Sequence, residues 1–593
     1  MNLTIAERID ALRAEMKKAG IYATIIPHVD PHQSEYIAAH WQVRRFLSGF
    51  TGSAGDLVIT PDHALLWTDS RYFIQAAQQI EGTPFQLMKD GLPGTPSIIE
   101  WICNNVSANL TVGVDGMLFS HTAINSLRHQ LSRHGINLNT DFDPIDNIWT
   151  DRPALPDDKV IIHDVKYAGQ SASDKIAAIL DKARNEGADS VLLTALDEIA
   201  WTLNIRSTDV PCNPVVTSFL FLSPFGSKLF IDSAKLTPEV VEYLRQANVK
   251  CAEYSDIIPF LAAIPGGKVM LQDNRVAERL YSAINVGIIA AGSPVALAKA
   301  CKNEVQIQGI KAAMERDGAA LVRAFIEIEN TIANRQPLTE IDVDNILRKY
   351  RSQQPLFFDL SFDTIAGYGA HGAIVHYSAT EESNADIRPE NLLLIDSGAQ
   401  YFDGTTDITR TITLGNTTPQ QKTDFTLVMK GHIAIATAIF PEGTRGAQLD
   451  AFARINLWKQ GLTYLHGTGH GVGHFLSVHE GPQSIRLNDV PTPLMPGMVT
   501  SNEPGIYREN SHGIRCENLV LTVPAFETEF GKFYKFETLT LFPFDRNLFD
   551  LSLMSVEEIR WVDNYHQTVY ARLSPYLNDD EQRWLRNKTL PLG

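Results

Sequence analysis

Cysteine is scarce in this sequence, and the few cysteines are widely separated. There are five, an odd number, and no two of them form a Cys-x-x-Cys pair. This pattern indicates neither a disulfide framework nor a structural zinc site. We therefore expect free thiols and a reducing compartment, for which the cytoplasm is the simplest choice.

Long hydrophobic runs are also missing. No stretch reaches the roughly 18 apolar residues that a membrane-spanning helix needs, so we expect no membrane attachment. The opening segment MNLTIAERIDALRAEMKKAG is amphipathic and charged, and it lacks the apolar centre of a secretory signal. Thr4 and Glu7 within it fit a capping box, which predicts a structural helix from the outset.

Basic residues are outnumbered by acidic ones. The sequence has 51 Lys and Arg against 69 Asp and Glu, for a formal net charge of −18. Binding to phosphate backbones depends on an excess of basic groups, so we expect no nucleic acid partner.

Two N-terminal segments share one pattern of amphipathic helix, glycine, apolar strand, polar turn and second helix. They read RIDALRAEMKKAGIYATIIPHVDPHQSEYI from Arg8 and KIAAILDKARNEGADSVLLTALDEIAWTLNI from Lys175. Gly20 and Gly187 occupy matching positions. The pattern favours duplication of one α/β unit, although ordinary α/β units share it too.

The chain has 593 residues, which is too long for a single hydrophobic core. A Pro-rich, charged linker is predicted at 150–159. From about Lys302, helical patterns mix with antiparallel strand patterns, which indicates an α+β domain. The tail is helical in pattern and too small to fold alone, so it is expected to dock on its own chain or on a partner. The predicted domains are residues 1–150, 160–293, 300–545 and 546–593.

Four carboxylates stand at the ends of apolar strand patterns. Asp396 ends LLLID, and Asp407 opens TDITRTITL, eleven positions later. Glu503 ends MVTSNE, and Glu517 lies in GIRCENLVL, fourteen positions later. Each pair is predicted to lie on adjacent strands of a hairpin, close to the core.

Carboxylates gathered beside apolar strands are costly to bury and repel one another unless cations neutralise them. The segment LHGTGHGVGHFLSVHEG adds four histidines in a glycine-rich setting: His466, His470, His474 and His479. Four carboxylates with one imidazole suit Mn²⁺ better than structural zinc, and paired ions would make a two-metal hydrolase. Singly, each acid could instead be a turn or cap residue, and each histidine a loop residue.

These stretches resemble the pita-bread metallopeptidase family, which includes methionine aminopeptidase, prolidase, aminopeptidase P and creatinase. The resemblance is carried by VHYS, IDSGAQYFDGTTDITRT, HGTGHGVGHFLSVHEGP, SNEPGIY and GIRCENL. The segments HQSEYIA, FLSGFTGSAG and LLWTDSRYF, and the tail, are similar to the long, three-domain aminopeptidases P of the cytosolic type. Nearly the whole chain is covered.

The resemblance implies two creatinase-like N-terminal α/β domains, a pita-bread α+β catalytic domain and a short C-terminal helical extension. It implies two divalent ions, Mn²⁺ first, with Zn²⁺ or Co²⁺ as alternatives. Asp407 and Glu517 would bridge the ions. The implied ligands are Asp396, Asp407, His470, Glu503 and Glu517. His474 matches no family position and is taken as a loop residue, and Cys516 as a packing residue.

The implied activity removes the first residue from peptides whose second residue is proline. Glu503 is the expected proton shuttle, and His466 or His479 the stabiliser of the oxyanion. The other residues expected to contact substrate are His376, Arg515, Glu35 and Arg71, with Glu35 receiving the free α-amino group. The long aminopeptidases also pair, so a homodimer held largely by the C-terminal part is predicted.

Rival functions remain at this stage. A prolidase would cut only Xaa-Pro dipeptides and would have to capture the free carboxylate of proline. A metal-free peptide-binding protein would have lost ligands, whereas all five ligand types are present. Creatinase-like chemistry is disfavoured for the same reason.

Overall fold

The computed structural model describes residues 3–593, which divide into two compact units. One unit comprises the chain up to His163 together with Gln170–Val295, and the other comprises Asp164–Gly169 and Ala296–Gly593. Within the described part of the chain, no helix is long and apolar enough to span a bilayer.

The first unit begins with a six-stranded sheet in the order β4-β3-β2-β1-β5-β6. Its strands are β1 (Ala23–Ile26), β2 (Asp56–Ile59), β3 (Ala64–Thr68), β4 (Gln86–Lys89), β5 (Thr111–Gly113) and β6 (Asn137–Asn139). The helices are α1 (Ile5–Ala19), α2 (Val43–Ser48), α3 (Phe73–Gln79), α4 (Ile98–Asn105), α5 (His121–Arg133) and α6 (Ile145–Ile148). The predicted capping box of Thr4 and Glu7 starts α1, and Gly20 ends it at φ 69°.

A second six-stranded sheet in this unit repeats the first. The short strand β7 (Ile161–Ile162) comes first and pairs with β9 (Ile205–Arg206) outside this sheet, and the short helix α7 (Val165–Ala168) that follows β7 belongs to the other unit. The strands of the sheet are β8 (Ser190–Leu193), β10 (Phe219–Leu222), β11 (Ser227–Phe230), β12 (Val249–Ala252), β13 (Lys268–Leu271) and β14 (Gly287–Ala290). Its helices are α8 (Ala172–Asn185), α9 (Leu196–Leu203), α10 (Pro238–Gln246), α11 (Ile257–Ala262) and α12 (Glu278–Ala283).

The two sheets have the same topology, which supports the predicted duplication. The second sheet runs β12-β11-β10-β8-β13-β14, and each pair of neighbours has the same relative direction as its counterpart in the first sheet. One local detail differs from the prediction. Helix α9 follows β8 almost at once, whereas no α-helix follows β1 until Val43. There, Pro27 and Pro31 lack amide donors, and the carboxylate of Asp30 caps the amides of His32 and Ser34.

The second unit contains the predicted α+β domain. Its helices are α13 (Ala296–Ala300), α14 (Glu304–Ala333), α15 (Glu340–Ser352), α16 (Pro419–Ala436) and α17 (Gly446–Trp458). Its strands are β15 (Phe357–Leu360), β16 (Ile365–Tyr368), β17 (Leu392–Ser397), β18 (Ala399–Tyr401), β19 (Gly404–Thr405), β20 (Ile408–Thr413), β21 (Ile439–Pro441), β22 (Gly469–Gly471), β23 (Glu480–Ile485), β24 (Val499–Asn502), β25 (Gly505–Arg508), β26 (His512–Arg515), β27 (Asn518–Thr528) and β28 (Gly531–Thr538).

These strands form the curved core around which α14 to α17 pack. Two three-stranded sheets run β15-β18-β19 and β16-β17-β20, a six-stranded sheet runs β21-β28-β27-β24-β22-β23, and β25 pairs with β26. The fold class inferred from the sequence is confirmed. The bounds of the four predicted domains stay predictions.

The tail forms α18 (Val556–Leu573) and α19 (Asp579–Lys588) and docks on its own chain. Its buried side chains share one hydrophobic core with α14: Val562, Val569, Leu573, Leu577 and Leu585. Trp584 Nε1 donates to Glu329 at 2.7 Å. Other large side chains of the tail are exposed, among them Leu551 at 41%, Leu553 at 38% and Tyr576 at 45%, and the predicted tail-mediated dimer stays a prediction.

Candidate metal centre

Antiparallel pairing brings the four carboxylates together. Asp396 lies on β17 opposite Thr409 of β20, and Asp407 immediately precedes β20. Glu503 immediately follows β24, and Glu517 immediately precedes β27; these two strands pair with Asn502 opposite Asn518. The strand pairs were predicted, but the hairpin β25–β26 intervenes between the two glutamates.

His470 completes this cluster from β22. Its Nε2 lies 3.6 Å from Oδ2 of Asp407 and 3.4 Å from Oε1 of Glu503. Ligand atoms of Asp407, His470 and Glu517 all lie within 4.8 Å of one another. Because Nδ1 of His470 donates to the carbonyl of Gly471 at 2.9 Å, Nε2 presents its lone pair to the carboxylates.

The clustered carboxylates repel one another, so a positive charge between them would stabilise their ionised forms. Burial, and then the neighbouring Asp396 and Glu503, raise the pKa of Asp407 well above its ordinary value. Burial and then Asp407 do the same to the pKa of Glu517. Burial raises the pKa of Glu503 to about 7, although Arg515 opposes the rise.

The donor set fits divalent cations. Oδ1 of Asp396 is buried and has no hydrogen-bond partner among residues 3–593, which suits an atom reserved for a metal. Hydroxyl groups steady two other carboxylates, since Thr409 Oγ1 donates to Glu517 at 2.8 Å and Ser501 Oγ donates to Glu503 at 3.1 Å. Oxygen-rich ligands with one imidazole suit hard ions such as Mn²⁺.

Arg515 lies behind this cluster and is almost fully buried. Its Nη2 donates to Asp396 Oδ2 at 2.6 Å, and its Nη1 donates to the hydroxyl of Tyr507 at 2.8 Å. These contacts orient a carboxylate, and the predicted role of Arg515 in substrate binding stays a prediction.

Tyr507 was not singled out from the sequence, although it ends the quoted motif SNEPGIY. Its hydroxyl lies 2.8 Å from Nε2 of His466, whose Nδ1 donates to the carbonyl of Gly467 at 2.7 Å. Tyr507 therefore links His466 to Arg515 and, through it, to Asp396. Burial raises the pKa of Tyr507 to about 12, so the phenol stays protonated.

The other predicted histidines occupy different settings. The ring of His479 lies 4.4 Å from that of His470, edge to face, beside the carboxylates. His376 is half-buried in the loop between β16 and β17. His474 does lie in a loop, between β22 and β23, but it is buried rather than exposed. Cys516 is buried in the hydrophobic core, which confirms its packing role.

Glu35 and Arg71 belong to the first unit, where they lie near each other. Arg71 makes a two-point contact with Asp69, at 2.9 and 2.7 Å, and its Nη1 lies 4.0 Å from Oε1 of Glu35. Their predicted role in substrate recognition stays a prediction.

Comparison with known families matches four stretches of the chain. Residues 308–524 match "Metallopeptidase family M24". Residues 8–148 and 151–306 each match "Creatinase/Prolidase N-terminal domain", in line with the repeated sheet. Residues 532–592 match "C-terminal region of peptidase M24".

Similar proteins match over nearly their full length. "Aminopeptidase P2" of Arabidopsis thaliana is 41% identical over 636 residues, covering 100% of this chain and 89% of the relative. "Probable Xaa-Pro aminopeptidase P" of Aspergillus niger is 40% identical over 609 residues, covering 99% of each. The crystal structure of an X-prolyl aminopeptidase from Caenorhabditis elegans is described as that of a cytosolic enzyme with a di-nuclear active site. Its sequence is 34% identical, and its structure matches with a TM-score of 0.95 over 99% of this chain and 100% of that chain.

Proposed function

Because this chain belongs to metallopeptidase family M24, we propose that it removes the N-terminal residue from peptides whose second residue is proline. One observation carries the proposal: five side chains of metal-ligand type gather in a chain that matches Xaa-Pro aminopeptidases from end to end. Two divalent metal ions are its cofactors, in keeping with the family and with the di-nuclear site of the nematode enzyme.

We propose Mn²⁺ as the metal, held by Asp396, Asp407, His470, Glu503 and Glu517. The proximity of Asp407, His470 and Glu517 and the unsatisfied oxygen of Asp396 support this set. When bound, the ions supply a water of lowered pKa and polarise the scissile carbonyl.

Glu503 is the proposed proton shuttle. Its carboxylate lies 3.4 Å from Nε2 of His470, beside the place where the attacking water would be held, so it is positioned to accept and release a proton. It takes the proton of the attacking water and delivers it to the imino nitrogen of proline as the carbon–nitrogen bond breaks. The products are a free amino acid and a peptide that begins with proline.

We propose that His479 or His466 stabilises the oxyanion. The ring of His479 lies 4.4 Å from that of His470, and His466 contacts the carbonyl of Gly467 and the hydroxyl of Tyr507. One well-placed donor at an oxyanion contributes about 3 kcal/mol. His376, on the loop before β17, is a proposed wall of the pocket that admits the compact proline ring and rejects bulkier residues.

The test compares an Xaa-Pro-Pro tripeptide with the corresponding Xaa-Pro dipeptide, with Mn²⁺ and after chelation. An aminopeptidase releases the first residue of the tripeptide, and chelation abolishes the activity. Preference for the dipeptide would identify a prolidase. Tripeptide binding without cleavage in Mn²⁺ would identify a peptide-binding protein.

We propose a cytoplasmic homodimer that uses helix α17, although the tail also exposes large apolar side chains such as Val556 at 66% and Tyr576 at 45%. The cytoplasmic location is supported by the description of the nematode enzyme as cytosolic. On and just beyond α17, large apolar side chains are exposed: Phe452 at 45%, Ile455 at 43%, Trp458 at 42% and Leu465 at 63%. A cluster of this kind marks an interaction surface, and a second copy of the chain is its proposed occupant.

Two double variants distinguish the surfaces. Phe452→Asp with Ile455→Asp should give a monomeric mass by light scattering at micromolar concentration. Leu551→Asp with Leu553→Asp, which changes exposed apolar residues of the tail, should leave the dimer intact. The reverse result would return the interface to the tail, and a monomeric wild type would refute the dimer.

A further inference from the structure

A chain of buried polar groups connects the C-terminal extension to the backbone of a proposed metal ligand. It begins at Tyr565 on α18, whose ring stacks on that of Trp561 at 5.4 Å. The hydroxyl of Tyr565 accepts a hydrogen bond from Nη2 of Arg410 at 2.9 Å and lies 2.9 Å from the carbonyl of Phe542. The extension thus places a polar group deep inside the catalytic domain.

Arg410 lies on β20, three positions after Asp407, and is buried. None of the acceptors of its guanidinium is a carboxylate. They are the carbonyls of Thr409 at 2.9 Å, Glu517 at 2.5 Å, Phe542 at 2.6 Å and Pro543 at 3.1 Å, the side-chain oxygen of Asn518 at 2.8 Å, and the hydroxyl of Tyr565. Because the planar fork has five donors in fixed directions, this set of acceptors determines its orientation.

Hydrogen bonds from Thr409 and Arg410 meet at Glu517. Its carboxylate accepts from Oγ1 of Thr409 at 2.8 Å, and its amide donates to the carbonyl of Thr409 at 3.1 Å. Its own carbonyl accepts from Arg410. Three hydrogen bonds from β20 therefore fix the side chain and the backbone of Glu517, and the arginine among them is steadied by the extension.

The neighbouring residue of the extension holds the same region. Nε2 of His566 accepts the amide of Phe544 at 3.1 Å, next to the carbonyls of Phe542 and Pro543 that receive Arg410. Two consecutive residues of α18 thus secure the segment against which the guanidinium rests.

We propose that Tyr565 and Arg410 are positioning residues for the metal centre, through which the C-terminal extension sets the affinity for metal. The inference rests on the proposed role of Glu517 as a ligand. Partners beyond the ligands orient them, and their loss commonly weakens metal binding by about 10–100-fold. A purely structural extension would stabilise the fold without changing the metal affinity.

The test is Tyr565→Phe, with Tyr570→Phe as the matched control. Tyr570 lies on the same helix, but its hydroxyl accepts from Arg586 within the extension, at 3.2 and 2.6 Å. Metal-free wild type and both variants are titrated with Mn²⁺ by calorimetry, without substrate. We expect Tyr565→Phe to weaken binding about tenfold at one of the two sites, with turnover recovering as Mn²⁺ is raised. Tyr570→Phe should bind as wild type does.

Wild-type affinity in Tyr565→Phe would overturn the proposal. Equal weakening in both variants would also overturn it, because that result indicates general loosening of the extension. A wild type that binds none of Mn²⁺, Zn²⁺ and Co²⁺ would refute the proposed metal site itself. That outcome is read on the wild type alone, so the two failures are distinguishable.

Discussion

Nε2 of His470 lies 3.4 Å from Oε1 of Glu503, with Oδ2 of Asp407 at 3.6 Å from the same nitrogen. Both separations exceed the roughly 2.7–3.2 Å of a good N–H···O hydrogen bond. The three atoms therefore face one another without hydrogen bonds between them, as ligands of a common ion would.

His470→Ala should lose metal and activity together, because it removes the imidazole that faces the carboxylates. His466→Ala and His479→Ala should keep the metals and lower the rate, since His470 is the one histidine of the proposed ligand set. Elemental analysis of the three purified variants measures how much metal each one retains. Equal metal loss in all three would refute the division of roles.

Glu503→Gln should fold normally and lose most of its turnover. The amide can neither accept the proton of the attacking water nor deliver it to proline, and a lost general base costs about 10²–10⁴-fold. The rate is measured at saturating Mn²⁺ with metal content checked in parallel. Substantial activity with metal bound would assign the shuttle to another group.

Relative to Glu503→Gln, the metal-free protein should lose stability as the pH rises from about 4.5 to about 7. The pKa of Glu503 rises from 4.5 to about 7 on folding, so the native state holds its proton more tightly than the unfolded chain does. The resulting stability is complete below pH 4.5 and is lost as the pH passes 7. The raised pKa values of Asp407 and Glu517 act in the same direction.

Thermal unfolding in a chelator across this pH range checks the sign. Metal-free Glu503→Gln should show a shallower decline, because its amide has no proton to lose. With Mn²⁺ bound the decline should disappear, since metal ligands must be deprotonated. The same pH dependence in metal-free wild type and in metal-free Glu503→Gln would contradict the clustered-carboxylate account.

Glu480→Gln should destabilise the catalytic domain by about 3–5 kcal/mol, the usual cost of breaking a buried ion pair. Glu480 is fully buried and receives Lys299 Nζ and Lys302 Nζ, each at 2.6 Å. The control is Glu558→Gln, whose partner Lys430 is partly exposed, and it should cost at most about 1 kcal/mol. Chemical denaturation measures both, and equal losses would show that burial does not decide the cost.

Glu35→Ala should lower kcat/KM for peptides with a free α-amino group while leaving the metal content unchanged. A carboxylate is the natural partner of that cation. The loss should shrink for acetylated peptides, although these are poor substrates from the start. Wild-type kinetics would confine substrate recognition to the catalytic domain.

Much of this protein could be predicted from local signals in the sequence. Helix α14 ends next to Asn334, and the carboxylates stand at the ends of apolar strands. Features of this kind are predictable because periodicity, caps and turns depend on neighbouring residues. The same holds for the repeated glycines that end corresponding helices of the two sheets, Gly20 at φ 69° and Gly187 at φ 80°. The proposed ligand set came from the resemblance of the motifs to a known family, and paired strands bring its members close together.

Only the tertiary structure decided which buried groups meet. Arg410 and Tyr565 are 155 positions apart, and Glu480 and Lys302 are 178 apart, so no local pattern could pair them. It also decided which apolar faces are covered: Val569, Leu573 and Leu585 of the tail lie in one core with α14, while Phe452 and Ile455 of α17 stay exposed. Amphipathic periodicity states that a helix has an apolar face, but the partner of that face is selected by packing across the whole chain.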